Sequence, residues 1–419
     1  MTPMAVDENL TVLRQLRYGH VNRVLDVLRR QGPSSRADVS AATGLSRTTL
    51  SGIIGQLLAD QVVSERPAPS DTGPAGRGRP VQQLALNPHS AQAVGIELGR
   101  ERIKVAIADA AHEVTAFEGI HCARRTSARE QAAASLELLY DLADRKGIEL
   151  AGLGGVGIGT PGPGETAGGR GGGASTDPGH GVPRRRQVVA DTVAEALDVP
   201  VLADNNVRLA ALGEAIWGAA RGAGDALHVT LSHGVGGGLV VGGRLFRGAQ
   251  GAAGEIGHIS VDPEESRCWC GGRGCVEQIA AVPALLRAAG RRSWDRFAAA
   301  VTAGADTECA ALERAAHAVG RALAAACSTA NPQRVVLGGE VAALGGVFLG
   351  PVESVFRRYA PTRVHRGVRL VPAALADRAG ALGALALVFH ESPLLAGYPT
   401  PDAAAPGASP EPAPATAAS

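Results

Sequence analysis

One histidine and three cysteines are the side chains of this sequence best placed to do chemistry together. Gly254-Glu255-Ile256-Gly257-His258 is followed by Cys268-Trp269-Cys270-Gly271-Gly272-Arg273-Gly274-Cys275-Val276-Glu277. An imidazole and three thiolates form a Cys3His set that suits tetrahedral zinc and leaves no position open for a catalytic water. The glycines between the thiolates let the backbone fold tightly around a small ion. His258, Cys268, Cys270 and Cys275 are therefore the expected ligands of a structural zinc ion, whose binding energy is folding energy. The competing reading is a scatter of buried cysteines. Six cysteines in 419 residues do not look like a disulfide framework, and Cys122, Cys309 and Cys327 have no assigned role.

A second candidate is Pro200-Val201-Leu202-Ala203-Asp204-Asn205-Asn206-Val207-Arg208, an apolar strand that delivers a carboxylate and two amides to a helix start. Such a run either faces a cleft or simply caps the helix. Two glycine-rich turns, Gly157-Ile158-Gly159-Thr160-Pro161-Gly162-Pro163 and Gly234-Val235-Gly236-Gly237-Gly238, would admit a ligand close to the backbone and offer N–H groups to phosphates or hydroxyls. Alone they are weak evidence.

The elements around these residues divide the chain. Val21, Val24, Leu25 and Leu28 repeat at helical spacing, and Gln31-Gly32-Pro33 closes that helix. Ser35 with Asp38 forms a capping-box pattern that opens a short helix to Thr43. Gly44-Leu45-Ser46 makes a tight turn, and a third helix buries Leu50, Ile53, Ile54, Leu57 and Leu58. Its polar face carries Arg47, Thr48, Thr49, Ser51 and Gln56, the arrangement of a helix-turn-helix, with an ordinary helical hairpin as the alternative. Strands expected at 61–64 and 81–86 flank a 14-residue loop with four prolines and three glycines, read as a wing. Arg77 and Arg79 on that glycine-flanked loop can reach down a narrow minor groove.

From residue 93 onward strands and helices alternate with glycine turns, consistent with α/β. Strands are expected at 93–98, 103–108, 114–117 and 153–158, with a helix at 128–146. Residues 164–186, with eight glycines and the run Arg184-Arg185-Arg186, read as a flexible loop. That loop either remodels an entrance or is a solvated insertion. Residues 391–419 hold seven of the 25 prolines and read as a disordered tail. Aromatics are only 3% while glycines number 56, without the Gly-X-Y period of collagen. The formal charge of +1 argues against a surface that coats nucleic acid. Residues 1–90, however, carry 10 basic and 7 acidic side chains, a modestly basic module on a slightly acidic remainder. With no signal-peptide core and no apolar run of membrane-spanning length, a soluble cytoplasmic protein without membrane partners is expected.

Taken together and in this order, the motifs resemble the ROK family of repressors and sugar kinases over nearly all of residues 1–390. Gly338-Gly339-Glu340 after an apolar strand matches the family's later glycine pair. The resemblance implies an α/β fold with an N-terminal winged helix-turn-helix domain (1–90) and a two-lobed actin-like body. The first lobe would span 91–204, completed by about 371–390, and the second, with the zinc site, 205–370. It also implies a sugar between the lobes, with Asn205, Asn206, Glu255, His258 and Glu277 around it. His258 would give one ring nitrogen to zinc and keep the other for a sugar hydroxyl.

Departures from the kinase pattern favour a regulator. Kinase members place an aspartate where this chain has Asn206, and an amide cannot remove the proton from the attacking hydroxyl. The first phosphate turn, normally Asp-x-Gly-Gly-Thr, is Glu97-Leu98-Gly99-Arg100-Glu101. The Glu101 carboxylate would repel a phosphate chain by several kcal/mol at an effective dielectric of about 20. Ser232 and His233 replace glycine and threonine in the second phosphate turn. The expectation is a non-enzymatic, sugar-responsive regulator. It would be a repressor that binds double-stranded operator DNA and a sugar or sugar-phosphate effector, as a homodimer or homotetramer. The alternatives are an ATP-dependent sugar kinase that carries a DNA-binding module, and a sugar-binding scaffold that acts through a protein partner.

Overall fold

Helix boundaries in the N-terminal region are set by side chains that satisfy the first free N–H groups. The computed structural model describes residues 20–391, except 22, 26, 29–30, 60–61, 68–81, 88–91, 110–111, 124–125, 163–183, 250 and 263–265. The Ser35 hydroxyl accepts from the Asp38 N–H at 3.2 Å, and the Asp38 carboxylate accepts from the Ser35 N–H at 3.1 Å. This reciprocal capping box opens α1 (Arg36–Thr43), which ends at Gly44 with a left-handed φ of 67°. Three residues later α2 (Arg47–Ala59) begins, with the Ser46 hydroxyl accepting from the Thr49 N–H at 3.2 Å. Leu50, Ile53, Ile54 and Leu57 pack against Val24, Leu25, Leu28 and Val39, as their helical spacing predicts.

Behind these helices lies a small sheet of order β1-β3-β2, formed by β1 (Ser34–Ser35), β2 (Val63–Pro67) and β3 (Gln82–Leu86). The first of the two expected strands runs from Val63 to Pro67, and Val63 pairs with Leu86 and buries its side chain beside Leu84. Arg77 and Arg79 lie outside the described residues, as do the tail from 392 onward and most of the 164–186 loop.

The rest of the described residues form two α/β layers. One sheet, of order β6-β5-β4-β7-β8, contains β4 (Gln92–Leu98), β5 (Arg102–Asp109), β6 (Val114–His121), β7 (Leu153–Thr160) and β8 (Val201–Asn205). β4, β5 and β6 form an antiparallel meander, while β7 and β8 run parallel to β4. The third strand extends four residues past its expected end, to His121. α3 (Ala128–Lys146), opened by its own Ser127–Glu130 capping box, covers one face of this sheet together with α4 (Arg184–Leu197). The arginine run belongs to α4 and not to a flexible loop. Arg186 is buried with its Nε donating to the Thr160 hydroxyl at 2.8 Å, and Arg185 donates to the Thr126 carbonyl at 2.9 Å and the Gln131 side chain at 2.8 Å. These acceptors replace the water that a charge run in a loop would need.

The other sheet has the order β11-β10-β9-β12-β13, from β9 (Ala226–Leu231), β10 (Val235–Val241), β11 (Arg244–Phe246), β12 (Arg334–Gly338) and β13 (Arg369–Pro372). Its large core includes the long helix α6 (Asp306–Ala330) and α7 (Gly346–Tyr359), with Phe297, Phe348 and Phe356 fully buried. Between the two sheets run α5 (Asn206–Ile216) and the final helix α8 (Ala379–Glu391), which packs on β4 and β7. The last described helix thus returns to the first sheet. α5 and α8 cross with backbones in contact, and glycine is required there. A Cβ on Gly213 would lie 2.7 Å from the Ala379 carbonyl oxygen, and one on Gly383 would overlap the Leu209 carbonyl. Among the described residues no helix is long and apolar enough to cross a membrane.

Two histidines whose imidazoles are pushed down make this fold acid-sensitive. His228 on β9 is 3% exposed, and burial pushes its imidazole down from 6.5 to about 4. His390 on α8 is also pushed down to about 4, by burial and then by the charges of Arg244 and Arg247. Both stay neutral in the folded chain but take a proton in the unfolded chain below its ordinary value. Stability is therefore lost as pH falls from 6.5 towards 4. Between pH 7 and pH 5 each should cost about 2 kcal/mol. Urea titrations at the two pH values measure the loss, and His228→Asn should remove about half of it.

Candidate ligand cleft and metal centre

Strand register brings the carboxyl ends of both sheets to one place. Glu97 on β4 aligns with Gly159 on β7, which aligns with Asp204 on β8. In the other sheet Gly338 on β12 aligns with Thr230 on β9. The turns beyond these strand ends line a single cleft of about 620 Å³. A cleft beyond the carboxyl ends of parallel strands is where α/β folds bind ligands.

Asn205, Asn206, Glu255, His258 and Glu277 all line this cleft. Asn205 serves two purposes. Its Oδ1 caps α5 by accepting from the N–H groups of Val207 (2.9 Å) and Arg208 (3.2 Å), so only its amide nitrogen is left to meet a ligand. Asn206 is the first residue of α5. Glu277 opens the helical turn Glu277–Ala280, and its carboxylate accepts from the Val235 N–H at 3.0 Å and from the Trp269 indole N–H. Glu255 is the most exposed of the five, with its Oε2 3.9 Å from His258 Nε2.

Beneath Asn205, the buried Asp204 carboxylate binds two arginines. Arg208 Nε donates to Oδ1 at 2.8 Å, and Arg247 Nε donates to Oδ2 at 2.6 Å. Burial works to raise this carboxyl, but Arg208, the Arg247 hydrogen bond and the Asn205 N–H outweigh it and hold it below the usual carboxylate range. Arg208 also donates to the Gly251 carbonyl, which ties the segment leading to Glu255 onto the start of α5.

The glycine run at 234–238 is only partly a turn. Gly234, Gly236 and Gly237 line the cleft, as expected, but residues 236–238 lie within β10. A Cβ on Gly238 would lie 2.7 Å from the Ala211 Cβ and 2.9 Å from the Arg208 Cα, so the missing side chain lets α5 sit on the sheet. At the first phosphate-type turn Glu97 points inward. It pairs with Lys104 at 3.1 Å, and burial raises its carboxyl in spite of that lysine. Lys104 donates as well to the Asp377 carbonyl just ahead of α8. Glu101 lines the cleft, and at the second turn His233 Nδ1 lies 3.9 Å from Glu340.

Next to the cleft, one ligand atom each of His258, Cys268, Cys270 and Cys275 lies within 4.8 Å of the others. Cys270 Sγ and Cys275 Sγ are 3.7 Å apart, as are Cys268 Sγ and His258 Nδ1. A tetrahedral ion with metal–sulfur bonds of about 2.3 Å places sulfurs about 3.8 Å apart, so the cluster fits a metal ion. The Gly272 N–H donates to Cys270 Sγ at 3.3 Å and the Gln278 amide to Cys268 Sγ at 3.5 Å, which suits thiolates. His258 Nδ1 faces the sulfurs and Nε2 faces Glu255.

The ROK family profile matches residues 93–391, the whole cleft and both sheets. The chain belongs to the ROK family. A glucokinase of Halalkalibacterium halodurans is 36% identical over 213 residues, 46% of this chain and 64% of that enzyme. NagC of Escherichia coli strain K12, a DNA-binding transcriptional dual regulator, is 27% identical over 411 residues, 93% of this chain and 96% of NagC. A solved structure of a ROK family transcriptional regulator, a homolog of the E. coli MLC protein, shares the fold. Its TM-score is 0.74 at 21% identity over 91% of this chain and 98% of its own.

Ahead of the ROK body, Arg47, Thr48, Thr49, Ser51 and Gln56 are all exposed on α2. Thr49 is engaged at the helix start, its hydroxyl 2.8 Å from that of Ser46. Sequence reading passed over Asp204, Arg247 and Gln278 as site residues. Asp204 stood next to the expected asparagines, but its partner Arg247 is 43 residues away and no local spacing links them. Replacing this carboxylate by an amide leaves two arginines facing each other without it. Asp204→Asn should lower unfolding stability by about 3 kcal/mol in chemical denaturation at pH 7, while Arg247→Lys costs less.

Proposed function

We propose that this protein is a sugar-responsive DNA-binding transcriptional regulator, a repressor of carbohydrate-utilisation genes, whose ROK cleft binds its effector without phosphorylating it. The extent of the similarity to NagC carries this reading. At 93% of the chain, it is too long to leave out α1, α2 and the wing strands, whereas the glucokinase similarity covers 46%. α2 enters the major groove of operator DNA with Arg47, Thr48, Thr49, Ser51 and Gln56, and Arg77 and Arg79 of the wing reach the adjacent minor groove. Asn205, Asn206, Glu255, His258 and Glu277 bind the hydroxyls of a sugar or sugar phosphate. Carboxylates, amides and imidazole match the donors and acceptors of vicinal hydroxyls.

The ion at His258, Cys268, Cys270 and Cys275 is zinc in this reading, because three thiolates and one imidazole are its usual structural set. When bound it supplies no chemistry beyond holding the loop and the His258 ring in place. Phosphoryl transfer is disfavoured for three reasons. Asn206 cannot act as a base, Glu97 is occupied by Lys104, and Glu101 lines the cleft. Effector binding alters the angle between the two lobes, and with it the spacing of two winged helices in a homodimer or homotetramer.

Gel shifts on the DNA upstream of the gene, with and without sugars, test the reading. Low salt and no sugar should give a retarded band, and the matching sugar should release it. Arg77→Ala with Arg79→Ala should weaken binding and flatten its salt dependence by about one unit of slope per lost phosphate contact. No retardation of any fragment overturns the regulator. Sugar-dependent release of ADP from ATP overturns the non-enzymatic half and favours the kinase. Removing the metal with a chelator should make three thiols reactive in every protomer and lower the melting temperature.

A further inference from the structure

One residue of the cleft is of a different kind from the rest. Trp269 stands between two of the sulfur ligands, lines the cleft, and keeps 58% of its surface exposed. Aromatics are only 3% of this sequence, and the other two tryptophans, Trp217 and Trp294, do not line the cleft. Its orientation is fixed from two sides. The indole N–H donates to the Glu277 carboxylate, which is itself anchored on the Val235 N–H at 3.0 Å. The ring stands edge-to-face with the His258 imidazole, with centroids 4.9 Å apart and an interplanar angle of 84°. An indole N–H lies in the ring plane, so its bond to Glu277 holds one edge and spends none of the ring face. Most of a large apolar surface is thus left wet inside a concave polar site, where a ligand would cover it.

The geometry points to Trp269 as the stacking platform for a pyranose ring, a role that rests on the reading of the cleft as the effector site. In an aldopyranose with equatorial hydroxyls the hydroxyls spread around the rim, while the axial C–H groups point to the two faces. Those C–H groups carry partial positive charge and meet the negative face of an aromatic ring. Seated on the indole, such a ring presents its rim hydroxyls to Glu277 and His258, the two groups that touch Trp269, and to Glu255 beside them. A linear polyol carries the same hydroxyls but has no apolar face. Trp269 therefore selects cyclic sugars of this shape.

D-glucose, N-acetyl-D-glucosamine, D-xylose and the linear polyol D-glucitol should be titrated into the full-length protein, with tryptophan emission and calorimetry read in parallel. Trp269→Phe and Trp269→Leu serve as variants, with metal content measured for each. At least one pyranose should bind and shift the emission to the blue, D-glucitol should do neither, and both variants should lose the shift. Calorimetric affinity should fall about fivefold in Trp269→Leu and no more than about twofold in Trp269→Phe, which keeps an aromatic face. A pyranose that binds without moving the emission and with equal affinity to Trp269→Leu overturns the platform and leaves the cleft reading standing. If no sugar binds the unmodified protein, both fall. If Trp269→Leu loses its metal, the wild-type emission and the Trp269→Phe affinity decide, and an unmoved emission at saturation overturns the platform.

Discussion

The buried carboxylate of Asp204 governs the geometry of this molecule more than any group that lines its cleft. It sits at the end of β8, where a strand of one sheet gives way to the helix that packs on the other. Through Arg208 it fixes the start of α5, and through Arg247 it holds the segment that leads to Glu255. A lone carboxylate in that position would be costly to desolvate, and two lone arginines equally so. Together they are stable, and their joint demand for partners forces three chain segments to converge. Asn205 can cap α5 and still reach the cleft because its neighbour already pins the turn.

The cluster of His258 and three cysteines imposes a second constraint of the same kind. Its four side chains come from a segment of 18 residues with little apolar content of its own, and a bound ion would stand in for a core there. Glu277 and Trp269, at or next to that loop, take their positions from it. A loosened loop would displace His258, Trp269 and Glu277 together.

Local rules made a large part of this architecture legible in the sequence. The Ser35–Asp38 capping box and the Gly44 turn act over three or four residues, and both stand where their spacing put them. The cysteine and histidine spacing was equally readable, since the fold brings those four side chains within 4.8 Å of one another. Long-range partners were not readable. Arg185 and Arg186 looked like a solvated charge run and are helical residues with acceptors from distant segments. Gly236 and Gly237 line the cleft as the glycine run suggested, but their place within β10 and the packing of Gly238 on α5 follow only from the fold. Trp269 stood inside the motif from the start, yet its exposure follows only from the fold.

The crossing of α5 and α8 restricts the chain at positions that touch no ligand. Gly213 and Gly383 let two helices approach until main chain meets main chain, and each helix rests on a different sheet. A single added methyl would act there as a wedge driven between the halves of the molecule. Drift at these two sites is thus closed to the protein as firmly as at a metal ligand, for reasons of volume alone. Some of the residues on which effector recognition depends most would then be ones that no effector ever meets.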